Sequence, residues 1–453
     1  MSTKQNLTLL LALSILLASC KLMPKQNANE ALSTGNFPEY IKQSNIYEVN
    51  VRQYTAEGTF KAFEASLPRL KDMGVDILWF MPITPISVVD RKGKLGSYYA
   101  VADYTAVNPE FGTMQDWKDL VNKAHELGFK VITDWVANHT GADNRWIKSN
   151  PDFFIKQKDG TLAFAFDWGD TRDLNFWNPV LHDSLINAMK FWLTETKIDG
   201  FRCDVASEAP RSFWQHCITE LKKTKPDIFM LAEADVSWVH DAGFHASYGW
   251  DGFAKMKKIA KGEASAKVLD TVLRKLDESF SPNYIKMYFT SNHDENSWNK
   301  ADYATMPGAV HAPFAVLTQT WKNSLPLIYG SQEEPFLDSL SFFYKDTISF
   351  GKFERAGFYK TLLLLRKNNP ALAVDAAYNK IESSNDDAVY AYWREKSGKK
   401  VMVILNLSGI AQTFTLKTKL EGQPQNIFVG KPENLKDGQQ FVLAPWAYVI
   451  YSF

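Results

Sequence analysis

From about residue 44 the chain alternates short apolar runs with longer stretches whose apolar residues recur every three or four positions. The runs at 46–54, 75–82 (VDILWFMP), 130–139 (KVITDWVANH), 198–204, 228–233 (IFMLAE), 285–292 (IKMYFTSN) and 325–330 (LPLIYG) read as strands. A less regular one lies near 244–250, making eight in all. Between them, 59–73 carries Phe60, Phe63, Leu67 and Leu70 at helical spacing, interrupted by Pro68. A second helix opens on the capping-box pattern of Thr113 and Asp116 and closes at Gly128. A third, 179–196, puts Leu181, Leu185, Met189 and Trp192 on one face, and a last one lies around 358–365. Strand alternating with helix predicts an α/β fold, a (β/α)8 TIM barrel over 40–371, with a short inserted domain at about 140–177 after the third strand. A doubly wound sheet would want a glycine-rich turn after its first strand, and QYTA at 53–56 is not one. After Pro370 the period changes to two, with short strands at 389–393, 401–406, 413–416 and 447–451. That pattern predicts a C-terminal antiparallel β-sandwich over 372–453.

The first forty residues follow another pattern. Lys4 precedes an apolar stretch at 9–17, too short for a lasting membrane span, which ends in LASC at 17–20. These four residues resemble a bacterial lipobox. The resemblance implies a signal peptide at 1–19, an acylated Cys20, a membrane partner reached through that lipid, and a polar tether over 20–39. Lys21 after the cysteine resembles lipoproteins destined for the outer membrane, so the expected location is the cell envelope. Cys203 and Cys217 remain, too few for a disulfide framework in an exported chain of 453 residues, and read as packing residues.

Composition narrows the partners. Lys+Arg and Asp+Glu balance at 51 each, which leaves no electrostatic footprint for nucleic acid. Aromatic residues reach 14%, and their flat faces can stack on sugar rings.

In a barrel of this kind reactive groups gather at the C-terminal ends of the strands. Those ends supply Asp134, Asn138 and His139, then Arg202 and Asp204, then Glu233, then His293 and Asp294. Arg202 and Asp204 lie two apart on a strand and so face the same way, which predicts an ionised Asp204 held by the guanidinium. Glu233, among Met230, Leu231 and Ala232 with no cation beside it in sequence, is expected to hold its proton. Carboxylates so tuned suit glycosidic cleavage by double displacement, in which the nucleophile and the acid stand roughly 5–5.5 Å apart. Asp294 beside His293 would hold sugar hydroxyls. Zinc chemistry would want two histidines close together on one strand, and no His-x-His occurs. Asp134 and Asp199 read as structural acids below the site, Glu334 as a structural or rim acid, and Trp135 and Trp298 as cleft or core aromatics.

DWVANH at 134–139, GFRCD at 200–204, AE at 232–233 and SNHD at 291–294 resemble, in order, the four signature regions of the α-amylase family of glycoside hydrolases. The resemblance implies retaining cleavage of α-1,4-linked glucans or malto-oligosaccharides. It makes Asp204 the nucleophile, Glu233 the acid/base and Asp294 the transition-state stabiliser, with His139, Arg202 and His293 binding sugar. GSYYAVAD at 96–103 resembles the segment that supplies a stacking tyrosine, Tyr99, and DLN at 173–175 a signature of the inserted domain. VASE at 205–208 is more similar to the neopullulanase and cyclomaltodextrinase branch than to the Lys-His pair many α-amylases carry there. No cofactor is required for this chemistry. The family's structural calcium has two oxygen donors to draw on, Asn138 and Asp173. Alternative functions on the same scaffold are a transglycosylase and a non-catalytic glucan-binding lipoprotein.

Overall fold

The computed structural model describes residues 37–453, apart from 300–305, 307, 335 and 337. The signal peptide, Cys20 and most of the tether lie outside the described residues. Eight parallel strands close into a barrel: β1 (Ile46–Val49), β2 (Ile77–Phe80), β3 (Lys130–Val136), β4 (Gly200–Asp204), β5 (Phe229–Ala232), β6 (Ala246–Tyr248), β7 (Lys286–Tyr288) and β8 (Ser324–Tyr329). Each pairs with its neighbours in chain order, and β8 returns to β1 through Ile46 opposite Leu327. The irregular stretch near 244–250 is β6, as the alternation predicts.

Burial explains why the strands read as nearly unbroken apolar runs. All residues of β1, β2, β4, β5, β6 and β7 are buried, because helices cover the outside and side chains fill the interior. Gly200 opens β4 where a Cβ would sit 1.9 Å from the Phe229 carbonyl oxygen, so only glycine lets β4 and β5 approach there.

Several boundaries differ from the periodic reading. The first strand stops at Val49, and the chain coils into a short helix, Val51–Tyr54, whose backbone closes on the Asn50 carbonyl. Residues 59–73 form two helices, Phe60–Glu64 and Leu67–Met73, and Pro68 sits in the first turn of the second, where its missing N–H costs nothing. The third strand ends at Val136, and His139 begins a separate ribbon, His139–Gly141 paired with Thr171–Asp173. The helix at 179 is regular only to Phe191 and continues as one wider turn, Trp192–Thr196. The capping box at Thr113 is present with both of its bonds.

The last barrel helix, Ala356–Asn368, is followed by a six-stranded antiparallel sheet that begins at Ala377 and includes Val389–Lys396, Lys399–Asn406 and Tyr448–Ser452. Phe414 and Phe441, on a two-stranded ribbon, pack against this sheet over Ile404 and Tyr451. Arg394 fastens the sheet to the barrel by donating to the carbonyls of Thr320 and Ala373 at 2.8 and 2.7 Å.

Candidate active site

A cleft of about 420 Å³ opens at the C-terminal ends of the barrel strands, lined among others by Tyr99, His139, Asp204, Glu233, His293 and Asp294. The three acids thus converge from β4, from the end of β5 and from the turn after β7. Their side chains are 9%, 14% and 34% exposed, so Asp204 is the deepest and Asp294 the nearest to solvent.

Arg202 organises the floor. Fully buried on β4, it donates from Nη1 to Asp134 Oδ1 at 2.7 Å and Asp204 Oδ1 at 3.0 Å, while Nε donates to the Tyr248 hydroxyl at 3.0 Å. Nη2 lies 2.9 Å from Glu233 Oε2, an ion-pair contact. This corrects the sequence expectation on two points. Glu233 does have a cation beside it, because the β4–β5 register puts Arg202 next to Leu231, two residues before it. Asp204, in turn, is not held low. Burial, then the charge of Glu233, push it well above the usual carboxylate range, and Arg202 only partly offsets them because it is divided among three acids. The cleft holds more carboxylates than cations, and the raised pKa of Asp204 is the consequence.

The turn after β4 latches the two acids together. Val205 sits at φ +33°, a conformation a β-branched residue rarely takes, and there its N–H donates to Glu233 Oε2 at 2.8 Å. The N–H of Ala206 reaches the Glu233 carbonyl at 3.1 Å. After β7, Asn292 caps the short helix His293–Trp298 through its side chain, which fixes His293 and Asp294 in its first turn.

His293 bridges three groups: Nδ1 meets Glu48 on β1, Nε2 meets the Tyr99 hydroxyl at 2.7 Å, and Nε2 is 3.4 Å from Asp294 Oδ2. Burial opposes its charge, yet Asp294 and Glu48 outweigh burial and push its pKa up to about 9. His139 is the opposite case. It is buried without a carboxylate partner, its pKa falls to about 3, and its Nε2 has no hydrogen-bond partner among the described residues. It faces the cleft as a neutral ring.

Tyr99 is the tyrosine that reaches the site, donating to Asp134 at 3.1 Å and stacking on Phe342 at 6.0 Å. Tyr98 turns away to Asn50. Trp298 lines the cleft beside Phe342, whereas Trp135 is buried against Tyr104 and Phe201. Glu334 is structural, accepting the backbone N–H groups of Gly351, Lys352 and Phe353. Asn138 and Asp173 do not reach the cleft. They line a separate hollow with Glu208, and their two oxygens fall short of the six to eight that calcium takes. Among the described residues no three His, Cys, Asp or Glu side chains are gathered as metal ligands.

Sequence reasoning missed Glu48, Lys92, Trp168, Asp170, Phe342 and Phe343. Only Glu48 carried a signal, a lone acid inside the apolar run IYEV. The others stand on loops, where no period announces a direction.

Residues 36–161 match the alpha amylase catalytic domain and residues 389–450 the C-terminal domain of the alpha-amylase SusG. Alpha-amylase 3 of Dictyoglomus thermophilum is 26% identical over 92% of this chain and 94% of its own. The crystal structure of an alpha-amylase from Lactobacillus plantarum is similar at a TM-score of 0.82 and 30% identity, covering 91% of this chain and 99% of that one. The alpha-1,4-glucan:maltose-1-phosphate maltosyltransferase of Corynebacterium glutamicum is 26% identical over 77% of this chain, which spans 56% of that relative's length.

Proposed function

Because the chain belongs to the alpha-amylase family of glycoside hydrolases and transferases, we propose that it cleaves α-1,4-glucosidic bonds of starch-derived glucans or malto-oligosaccharides with retention. The observation that carries this reading is the sharing of one guanidinium by Asp204 and Glu233 in a cleft that Asp294 also lines. Retention needs the two carboxyls about 5–5.5 Å apart, against about 6.5–9.5 Å for inversion, and a shared guanidinium is compatible with the shorter spacing.

In the first step Asp204 attacks the anomeric carbon as the glycosidic bond breaks, and Glu233 gives its proton to the departing oxygen. Arg202 keeps one oxygen of Asp204 occupied and leaves the other to form the bond. Positive charge grows on the ring, where Tyr99 offers its face and Asp294 its carboxylate. In the second step Glu233, now ionised, takes a proton from water, and the oxygen displaces Asp204 from the sugar. A sugar hydroxyl in place of that water gives transfer, the reaction for which the maltosyltransferase relative is named. VASE at 205–208 supports a reading within the neopullulanase and cyclomaltodextrinase branch, and the lipobox-like LASC at 17–20 supports acylation of Cys20 and a cell-envelope location.

The test is incubation with starch, pullulan, cyclodextrin and maltoheptaose, with products separated by chromatography. Short malto-oligosaccharides are expected, and products longer than the substrate would show transfer. Asp204→Asn should remove turnover by roughly 10⁴-fold or more, about 5 kcal/mol of barrier, in a folded protein. Turnover left intact by Asp204→Asn refutes the assignment, and maltoheptaose bound for hours without new reducing ends makes the chain a binding protein.

A further inference from the structure

The loop of residues 86–96, between β2 and the Tyr99 segment, is held down on both sides of the cleft. Toward the inserted segment, Lys92 Nζ meets Asp170 Oδ1 at 3.0 Å and Asp90 pairs with Arg172. Asp143 there accepts the N–H groups of Val88 and Val89 at 2.8 and 3.1 Å. Toward the loop after β8, the N–H of Leu95 reaches the Phe343 carbonyl at 3.0 Å. Gly93, at φ +62°, lies so close to Phe343 that a Cβ would come within 2.6 Å of that side chain. Lys92, Asp170 and Phe343 all line the cleft. A strap therefore runs along the rim from the β3 insertion to the β8 loop, and its charged clasp, with Asp170 only 3% exposed, faces the substrate space.

The barrel order says which end of a substrate meets it. Glu233, which protonates the departing sugar, follows β5, and β5 stands opposite β1 in the ring. The strap follows β2 and rests on the β8 loop, so it flanks β1, across the mouth from Glu233. The leaving portion of a glucan departs on the Glu233 side, and the retained portion, toward the non-reducing end, runs against the strap.

We propose that this strap, clasped by Lys92 and Asp170, closes the non-reducing end of the cleft, so that the enzyme works from chain ends and releases one short product of fixed length. The inference rests on the glucan-cleaving reading above and names which glucans that site accepts. Asp170 and Lys92 act through the wall they build and are positioning residues.

The experiment compares maltoheptaose with the same oligosaccharide carrying a 4,6-ethylidene block on its non-reducing glucose. Disappearance of each is followed by chromatography with the full-length protein. The wild type should consume the free form at least 10-fold faster than the blocked form, with a single short product from the earliest times. Lys92→Ala and Asp170→Asn should bring that ratio toward one and yield products of many lengths, and Lys92→Arg should keep the wild-type ratio. The ratio is taken within one preparation, so it does not move with the fraction of folded protein. Equal wild-type rates on both forms, or an early ladder of products, overturn the closed end and leave the glucan reading standing. A wild-type preference that survives both Lys92→Ala and Asp170→Asn overturns the clasp. No consumption of either form by the wild type overturns the glucan reading itself, and this inference with it.

Discussion

Strand β4 has a buried aspartate at each end, and the two are treated in opposite ways. Asp199, just before Gly200 at the floor of the barrel, receives His125 at 2.7 Å, Lys130 at 3.0 Å, the Val131 N–H at 2.9 Å and Lys225 at 3.3 Å. Burial alone would raise its pKa, but these partners outweigh burial and bring it down to about 2. Asp204, five residues on, shares one guanidinium with two other carboxylates, and its pKa rises. The same residue type, buried at either end of one strand, is saturated with partners below and starved of positive charge above. Saturation fixes a fold, and starvation leaves a proton and a nucleophile available for work.

The largest effect that would sharpen this contrast is at Glu233. If Glu233 gives the proton to the leaving sugar, Glu233→Gln should slow cleavage of maltotriose by roughly 10²–10⁴-fold. With α-maltosyl fluoride, whose leaving group needs no proton, the first-turnover rate should fall far less. Equal losses on both substrates would mean that the proton comes from elsewhere.

His293 carries the next effect. Its pKa of about 9 in the folded state lies above the ordinary value of 6.5. A raised pKa stabilises the fold fully below pH 6.5, and that contribution is lost as pH climbs through about 9. The difference corresponds to about 3 kcal/mol. Denaturant unfolding at pH 6.5 and pH 10 should show the wild type losing stability over this interval and His293→Gln losing much less. Parallel slopes for the two proteins would mean that Glu48 and Asp294 do not hold a charged ring.

What was legible beforehand divides along similar lines. The eight strands and the C-terminal sheet follow from periodicity, because buried parallel strands must be apolar throughout and an antiparallel sheet alternates. Asp204 and Glu233 are legible because a strand fixes where its end points, whereas His293 and Asp294 stand past the end of β7 on a short helix that the Asn292 cap orients. The charge states were not. Asp204 looked ionised because Arg202 is its neighbour in sequence, but how one guanidinium is divided among Asp134, Asp204 and Glu233 depends on register between strands. The strap was also invisible, since Lys92 and Asp170 meet only after two loops have folded, 78 positions apart in the chain. Strand ends so close in sequence to Cys203 and Val205 also conceal the left-handed turn at Val205 that delivers its N–H to Glu233.

The smallest effect is the one that sets the two ends of β4 directly against each other. Asp199→Asn and Asp204→Asn are the same near-isosteric change. At the floor it removes a carboxylate that two lysines, His125 and a backbone N–H hold, and the drop from an ordinary 3.8 to about 2 corresponds to about 2 kcal/mol of stability at neutral pH. A depressed pKa stabilises above about pH 4 and is lost as pH falls toward 2, so the gap between wild type and Asp199→Asn should narrow over that range. At the mouth the change removes one of several mutually repelling carboxylates, so Asp204→Asn should unfold at the same denaturant concentration as the wild type or a higher one, while losing turnover. Activity per folded molecule should survive Asp199→Asn. Denaturant midpoints measured at pH 7 and pH 3 decide the matter, and two variants destabilised alike at pH 7 would show that Arg202 holds Asp204 as firmly as the floor holds Asp199.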